Sequence, residues 1–173
     1  FHRRVMFGQH DFVAKLPASG NRQLQAFEMN VPGDVSSAAF LMVAALLEKE
    51  SKISICDIGW NSTRLGVVQV LRKMGGRLSE RNVRTTGGEQ IADLDVASSN
   101  LVGVEITEEE VVLAIDELPI LFVAAAFASG VTKVTGASEL RVKESDRLAK
   151  MAWLLSCAGV EVTEFPDGLE VVG

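Results

Sequence analysis

The stretch "ELRVKESDRL", residues 139–148, holds six charged side chains in ten positions of an otherwise rather apolar chain. Lys143 and Arg147 stand four residues apart, a spacing that puts both cations on one face of a helix, where they could clamp one anion. The unpaired N–H groups of a helix start would add partial positive charge at the same place. Glu144 and Asp146 suit such a first turn, because acidic groups there meet the positive end of the helix dipole. A plainer reading competes: a solvated helix start in which Lys143 and Arg147 pair with Asp146 or Glu139, which stabilises little. Asp34 and Asp116 each open an apolar run and on spacing alone read as N-caps. Ser36 and Ser37 could donate to a phosphate, although small residues at a helix start are ordinary. His2 and His10 show no partner pattern.

These groups need elements to position them, and the chain supplies the elements twice. "DVSSAAFLMVAALL" from Asp34 and "DELPILFVAAAFAS" from Asp116 each join an Asp, a short turn and an Ala-rich run that favours helix. Pro119 is tolerable in a first helical turn. Strand candidates with β-branched alternation follow at "SKISICDI" (51–58) and "GVTKVTGA" (130–137). A second, amphipathic helix comes next in both halves. Val67, Val70, Leu71 and Met74 are spaced i, i+3, i+4, i+7 before Gly75, and Met151, Leu154, Leu155 and Ala158 repeat that spacing before Gly159. Asn61 to Arg64 and Lys143 to Arg147 occupy the two equivalent helix starts. Strand pairs close each unit: "RLSE" with "NVRTT", and "VEVTEF" with "LEVVG" about a "PDG" turn. At the chain start, "VMFG" reads as a helix end, with "DFVAKL" and "QLQAFEMN" as closing strands. The polar stretch 85–100 reads as an exposed excursion. The first helix of each unit is apolar nearly all round, so both are expected to be buried on every side. The fold class is α/β, in repeated units with antiparallel strand pairs; a doubly wound parallel sheet does not follow.

The totals set limits. The 173 residues are 47% hydrophobic and carry a net charge of −6, which argues against a nucleic-acid partner and makes any anion site local. Cys56 and Cys157, far apart in apolar runs, point to reduced, buried thiols in a cytoplasmic protein, with no disulfide framework or zinc site. The longest apolar run, residues 38–47, is too short to span a bilayer, which needs about 20 residues. No signal peptide is read, and a start without Met suggests a piece of a longer protein.

Taken together, "VPGDVSSAAFLMVAALL", "IDELPILFVAAAF" and "GASELRVKESDRLAKMAWLLSCAGVEV" closely resemble the family of 5-enolpyruvylshikimate-3-phosphate synthases, with "RVKESDR" as a specific signature. The resemblance implies two similar domains built from βαβαββ units, helices inside and sheets outside. On that scheme residues 1–31 end a preceding unit, 32–98 form a first complete unit and 99–173 a second. Together they are part of one domain, with the remainder of the enzyme missing. The implied reaction moves the enolpyruvyl group of phosphoenolpyruvate to the 5-hydroxyl of shikimate 3-phosphate and releases phosphate, without metal or organic cofactor. By motif, Asp116 matches the base at the 5-hydroxyl, and Glu144 the acid that shuttles a proton at the methylene carbon. Lys143 matches a lysine that binds shikimate 3-phosphate, and Arg147 an arginine that holds phosphoenolpyruvate. Two carboxyl groups in different surroundings can divide such proton traffic.

The family's N-terminal Lys-Ser segment, its glycine-rich loop, the Ser-Ser-Gln contacts and the late Arg and Lys are not found in this sequence. A chain without them is expected to be inactive alone. Two other readings stand beside this one. The first is the sister UDP-N-acetylglucosamine enolpyruvyl transferase; the second is a non-enzymatic α/β repeat module, whose mark would be a cleft face free of cations.

Overall fold

The computed structural model describes residues 2–7, 10–15, 26 and 30–173. The chain opens with an antiparallel pair, β1 (His2–Phe7) and β2 (His10–Lys15), in register from His2↔Lys15 to Phe7↔His10. Of the helix end expected at "VMFG", Val5–Phe7 are therefore strand, and Gly8 lies outside the described residues. A short apolar run does not distinguish the two, and pairing along β2 decides it. Most of "QLQAFEMN" lies outside the described residues.

From Asp34 onward the sequence builds two layers. Asp34 caps α1 (Val35–Leu47) by accepting the Ser37 N–H at 2.9 Å and its hydroxyl at 2.8 Å. Next come β3 (Lys52–Gly59), a 3₁₀ turn at Ser62–Arg64, α2 (Gly66–Lys73), β4 (Arg77–Thr86) and β5 (Glu89–Ala97). The later half follows with β6 (Glu105–Ile106), α3 (Glu108–Ala114), α4 (Leu118–Ala126) and β7 (Val131–Val134). A 3₁₀ turn at Ser138–Arg141, α5 (Arg147–Cys157), β8 (Glu161–Phe165) and β9 (Gly168–Val172) complete it.

One sheet runs β3-β5-β4 and the other β6-β7-β9-β8. A parallel bridge from Gly33 to Ile58 stands beside β3 as parallel β6 stands beside β7, so strand order repeats between the halves. Helices fill the interior: α1 packs on α4, α4 on α5, and the sheets lie outside, against α1, α4 and α5. Met42, Leu46, Leu71, Met74, Phe122 and Leu148 are among the side chains sealed in this single core.

Several expectations need correction. No α4 residue is exposed, but α1 leaves Phe40 62% and Leu41 57% exposed, so it is buried on one face only. Stretch 85–100 is no excursion: it supplies β5, the central strand, with Ile91, Ala92, Leu94 and Val96 in the core. "RLSE" and "NVRTT" are one strand, β4, with a bulge between Arg81 and Arg84. Its partner is reached through Gly87–Gly88, both at positive φ (61° and 88°), as a two-residue hairpin loop demands. Both cysteines are exposed. Cys56 falls in the β3 bulge between Ile55 and Ile58, and Cys157 shares the outer face of α5 with Trp153.

Candidate active site

The charged box begins with a residue that anchors it. Arg141 donates to Asp146 at 3.0 Å, to Glu164 at 2.8 Å, and to the backbone carbonyls of Phe165 and Pro166. It thereby ties the turn before α5 to the β8–β9 hairpin and stands apart from the Lys143 and Arg147 pair. Asp146 is the N-cap of α5: its backbone is extended, and its carboxylate accepts the Ala149 N–H at 2.9 Å.

The helix accordingly starts at Arg147, and Lys143 and Glu144 lie in the bends before it. The one-face clamp expected of a helical i, i+4 pair does not form. Lys143 and Arg147 converge by another route, both on the same oxygen of Asp116. The Lys143 Nζ stands 3.6 Å from Asp116 Oδ1 and Arg147 Nη1 stands 3.3 Å from it. Arg147 Nη2 donates to Glu144 at 2.7 Å, and Lys143 pairs with Glu139 at 3.0 Å.

Asp116 is not an N-cap. It sits in the turn between α3 and α4, where the chain stays near helical geometry: the Glu117 N–H reaches the Ala114 carbonyl at 3.0 Å and Glu117 holds the cap position of α4. Pro119, which has no N–H to give, divides the two helices here. The helix before it, α3, has no counterpart in the repeat as read from sequence. Its start carries a legible mark, Thr107 with Glu110 three residues on, and the Glu110 carboxylate accepts the Thr107 N–H at 2.9 Å.

The local fields suit proton chemistry beside an anion. The Glu144 backbone N–H, then Arg147, hold the Glu144 carboxyl below its usual range, so it stands ionised. Glu139, with Asp116 beside it, holds the Lys143 ammonium above its own. Both cations are only about a quarter exposed, whereas the Glu144 side chain is 80% exposed. An incoming anion would compete with Glu139 and Glu144 for the two cations.

The first half carries an equivalent pair that charge alone does not single out. Arg64 lies 3.5 Å from Asp34 and donates to the Ser36 hydroxyl at 2.8 Å. Asp34 and Arg64 are 30 residues apart, Asp116 and Arg147 are 31, so the repeat itself held the signal. The Ser37 hydroxyl and N–H keep the Asp34 carboxyl below its usual range. Ser36 in turn donates to Glu117, which is 6% exposed and links the halves.

Concavities also lie away from this cluster. One of about 400 Å³ is lined by Gly75, Arg77, Ser98, Ser99 and Asn100, and its one guanidinium is engaged by the Ser98 carbonyl. Among the described residues no group of three His, Cys, Asp or Glu side chains is arranged to hold a metal, and no helix is long and apolar enough to cross a membrane.

Most of the chain is similar to known proteins. The chain is 50% identical over 161 residues to the 3-phosphoshikimate 1-carboxyvinyltransferase of Halorhodospira halophila, covering 93% of this chain and 36% of that protein. It is 52% identical over 154 residues to the enzyme of that name from Alkalilimnicola ehrlichii, covering 89% of this chain and 34% of the other. It thus spans little more than a third of the length of these curated relatives. Among solved structures, EPSP synthase from Acinetobacter baumannii superposes with a TM-score of 0.87 at 41% identity, covering 99% of this chain and 38% of that one. The enolpyruvyl transferase NikO from Streptomyces tendae, 18% identical with a TM-score of 0.63 over 99% of this chain and 37% of its own, shares the fold alone. The family model for EPSP synthase (3-phosphoshikimate 1-carboxyvinyltransferase) matches residues 13–173, and the chain belongs to that family.

Proposed function

We propose that this chain is part of a 3-phosphoshikimate 1-carboxyvinyltransferase of the shikimate pathway, which makes aromatic amino-acid precursors. Its substrates are shikimate 3-phosphate and phosphoenolpyruvate. The observation that carries the reading is the convergence of Lys143 and Arg147 on Asp116, with Glu144 held by the second cation. In this reading Asp116 takes the proton of the 5-hydroxyl while that oxygen bonds to the central carbon of phosphoenolpyruvate. Glu144, once protonated, gives its proton to the methylene carbon. Elimination reverses the second transfer: Glu144 takes a methyl proton back, the double bond re-forms, the carbon–oxygen bond to phosphate breaks, and the proton held by Asp116 leaves with the phosphate. Lys143 binds shikimate 3-phosphate, and Arg147 the phosphoenolpyruvate carboxylate or phosphate.

Residues 32–98 and 99–173 are read as two units of one domain, and 1–31 as the end of a preceding unit. The repeated strand order supports this division. Phosphorylated metabolites that do not cross bilayers favour a cytoplasmic location. The nucleotide-sugar transferase draws no support from the relatives named above, and a purely structural module does not account for two cations gathered on one exposed carboxylate. The test is phosphate release from phosphoenolpyruvate in the presence of shikimate 3-phosphate, by the intact polypeptide that carries this chain. Turnover that instead requires UDP-N-acetylglucosamine as acceptor would refute the reading.

A further inference from the structure

Among the described residues, Glu117 is the buried carboxylate at the meeting of the two halves, and the reaction scheme gives it no part. It is 6% exposed and caps α4. Its carboxylate accepts the hydroxyl of Ser36, in the first turn of α1, 81 residues away in the chain. The same hydroxyl oxygen accepts Arg64 Nη2 at 2.8 Å. The Glu117 charge stands where the N-terminal ends of two helices meet, a place where helix dipoles favour a negative group. A carboxylate hidden from water needs such partners, and a surface alternative would not.

The consequence falls on its neighbour. Asp116 is exposed in a turn, and its carboxylate meets Lys143 and Arg147 at 3.6 and 3.3 Å, the loose end of ion-pair geometry. Nothing in those contacts fixes the turn itself. The turn is held by the Glu117 N–H on Ala114, by the start of α4, and by the Glu117 side chain on α1.

We propose that Glu117 is a positioning residue of the Asp116 site. Through Ser36 and Arg64 it locks the first turn of α1 to the turn before α4, so that Asp116 meets substrate at the angle set by the opposite half of the fold. The proposal rests on the functional reading above. Catalysis is sensitive to such placement, since a displacement of about 1 Å can cost on the order of 100-fold in rate.

The experiment is steady-state kinetics of the intact polypeptide with both substrates, for Glu117→Ala, Glu117→Gln and Ser36→Ala, with Asp116→Asn beside them and thermal unfolding of each variant. Glu117→Ala is expected to lower kcat by about 30- to 100-fold while KM for either substrate changes by less than about 3-fold. Glu117→Gln keeps an oxygen that can accept the Ser36 hydroxyl and should recover kcat to within about 5-fold of the parent. Ser36→Ala, which removes a single hydroxyl and leaves the Glu117 carboxylate in place, should lower kcat by about 5-fold or more.

A purely structural Glu117 would reduce the folded fraction and leave kcat per folded molecule at the parent value, with no loss for Gln to recover. Parent-like kcat in folded Glu117→Ala or in Ser36→Ala, alongside a dead Asp116→Asn, overturns this proposal and leaves the functional reading standing. An active Asp116→Asn overturns the assignment of Asp116 as the base of that reading, and this proposal with it.

Discussion

At the scale of single residues, two cations share one acceptor. Arg147 Nη1 and Lys143 Nζ both address Asp116 Oδ1, and each also holds a second carboxylate. Removing either should act on the substrate proposed for it: Arg147→Ala should raise KM for phosphoenolpyruvate, and Lys143→Ala KM for shikimate 3-phosphate. Each shift should be about 10- to 100-fold, the scale of one charge-assisted hydrogen bond. Equal effects on both substrates from both variants would contradict that assignment. Arg147 also sets the acidity of Glu144. Because the folded state lowers the Glu144 carboxyl, this group's contribution to stability is present above its unfolded titration and is lost as pH falls through the lowered folded value. Arg147→Ala should therefore move the Glu144 titration upward, toward the ordinary carboxylate range, in a carboxyl-carbon NMR titration; an unmoved curve would discount the arginine. Asp116, Lys143, Glu144 and Arg147 were legible as types and motif, although not as a helical face. Glu117 was not legible, because a charge opening an apolar run reads as solvated and its partner Ser36 is 81 residues distant.

At the scale of elements, the site sits in the turn where α3 meets α4, and α2 packs against both helices. Gly66, the first residue of α2, has its Cα against the backbone of Leu113 and Ala114, so that a Cβ there would meet the Leu113 carbonyl. Gly66→Ala should destabilise the protein by about 1–3 kcal/mol through overpacking, read as a lowered midpoint in urea. An unchanged midpoint would mean that α2 and α3 are free to separate. Lys73 adds a second tie between these helices through Glu110, at 2.8 Å. The helices that open on Asp34 and near Asp116, and the amphipathic pair α2 and α5, follow from apolar spacing and glycine stops. Two elements did not. Helix α3 is seven residues long and too brief to show a period, leaving its capping residues as the only mark. Strand β5 alternates core residues with Asp93 and Asp95, which look solvated in sequence. In the sheet, Arg81 and Arg84 on β4 cover them, and Asp93 also accepts the Asp57 N–H at 3.0 Å and the Asn82 amide at 2.8 Å.

At the scale of the whole molecule, two halves with one strand order bring two Asp–Arg pairs to neighbouring helix starts joined by Ser36 and Glu117. The repeat was visible because each half carries the same order of caps, apolar runs and glycines; the seam between halves was not, because it exists only after packing. A site built on a seam needs both halves, and two anionic substrates need more cations than Lys143 and Arg147 provide. The 173-residue chain alone is thus expected to release no phosphate from phosphoenolpyruvate with shikimate 3-phosphate, above a Glu144→Ala control. The most direct test of the central claim, that Asp116 is the base of this site, is the turnover and stability of Asp116→Ala in the intact polypeptide. We predict that kcat falls by about 100-fold or more, the scale of a lost general base, while unfolding stability stays within about 1 kcal/mol of the parent. Turnover within a few-fold of the parent, or a loss matched by unfolding, would contradict it.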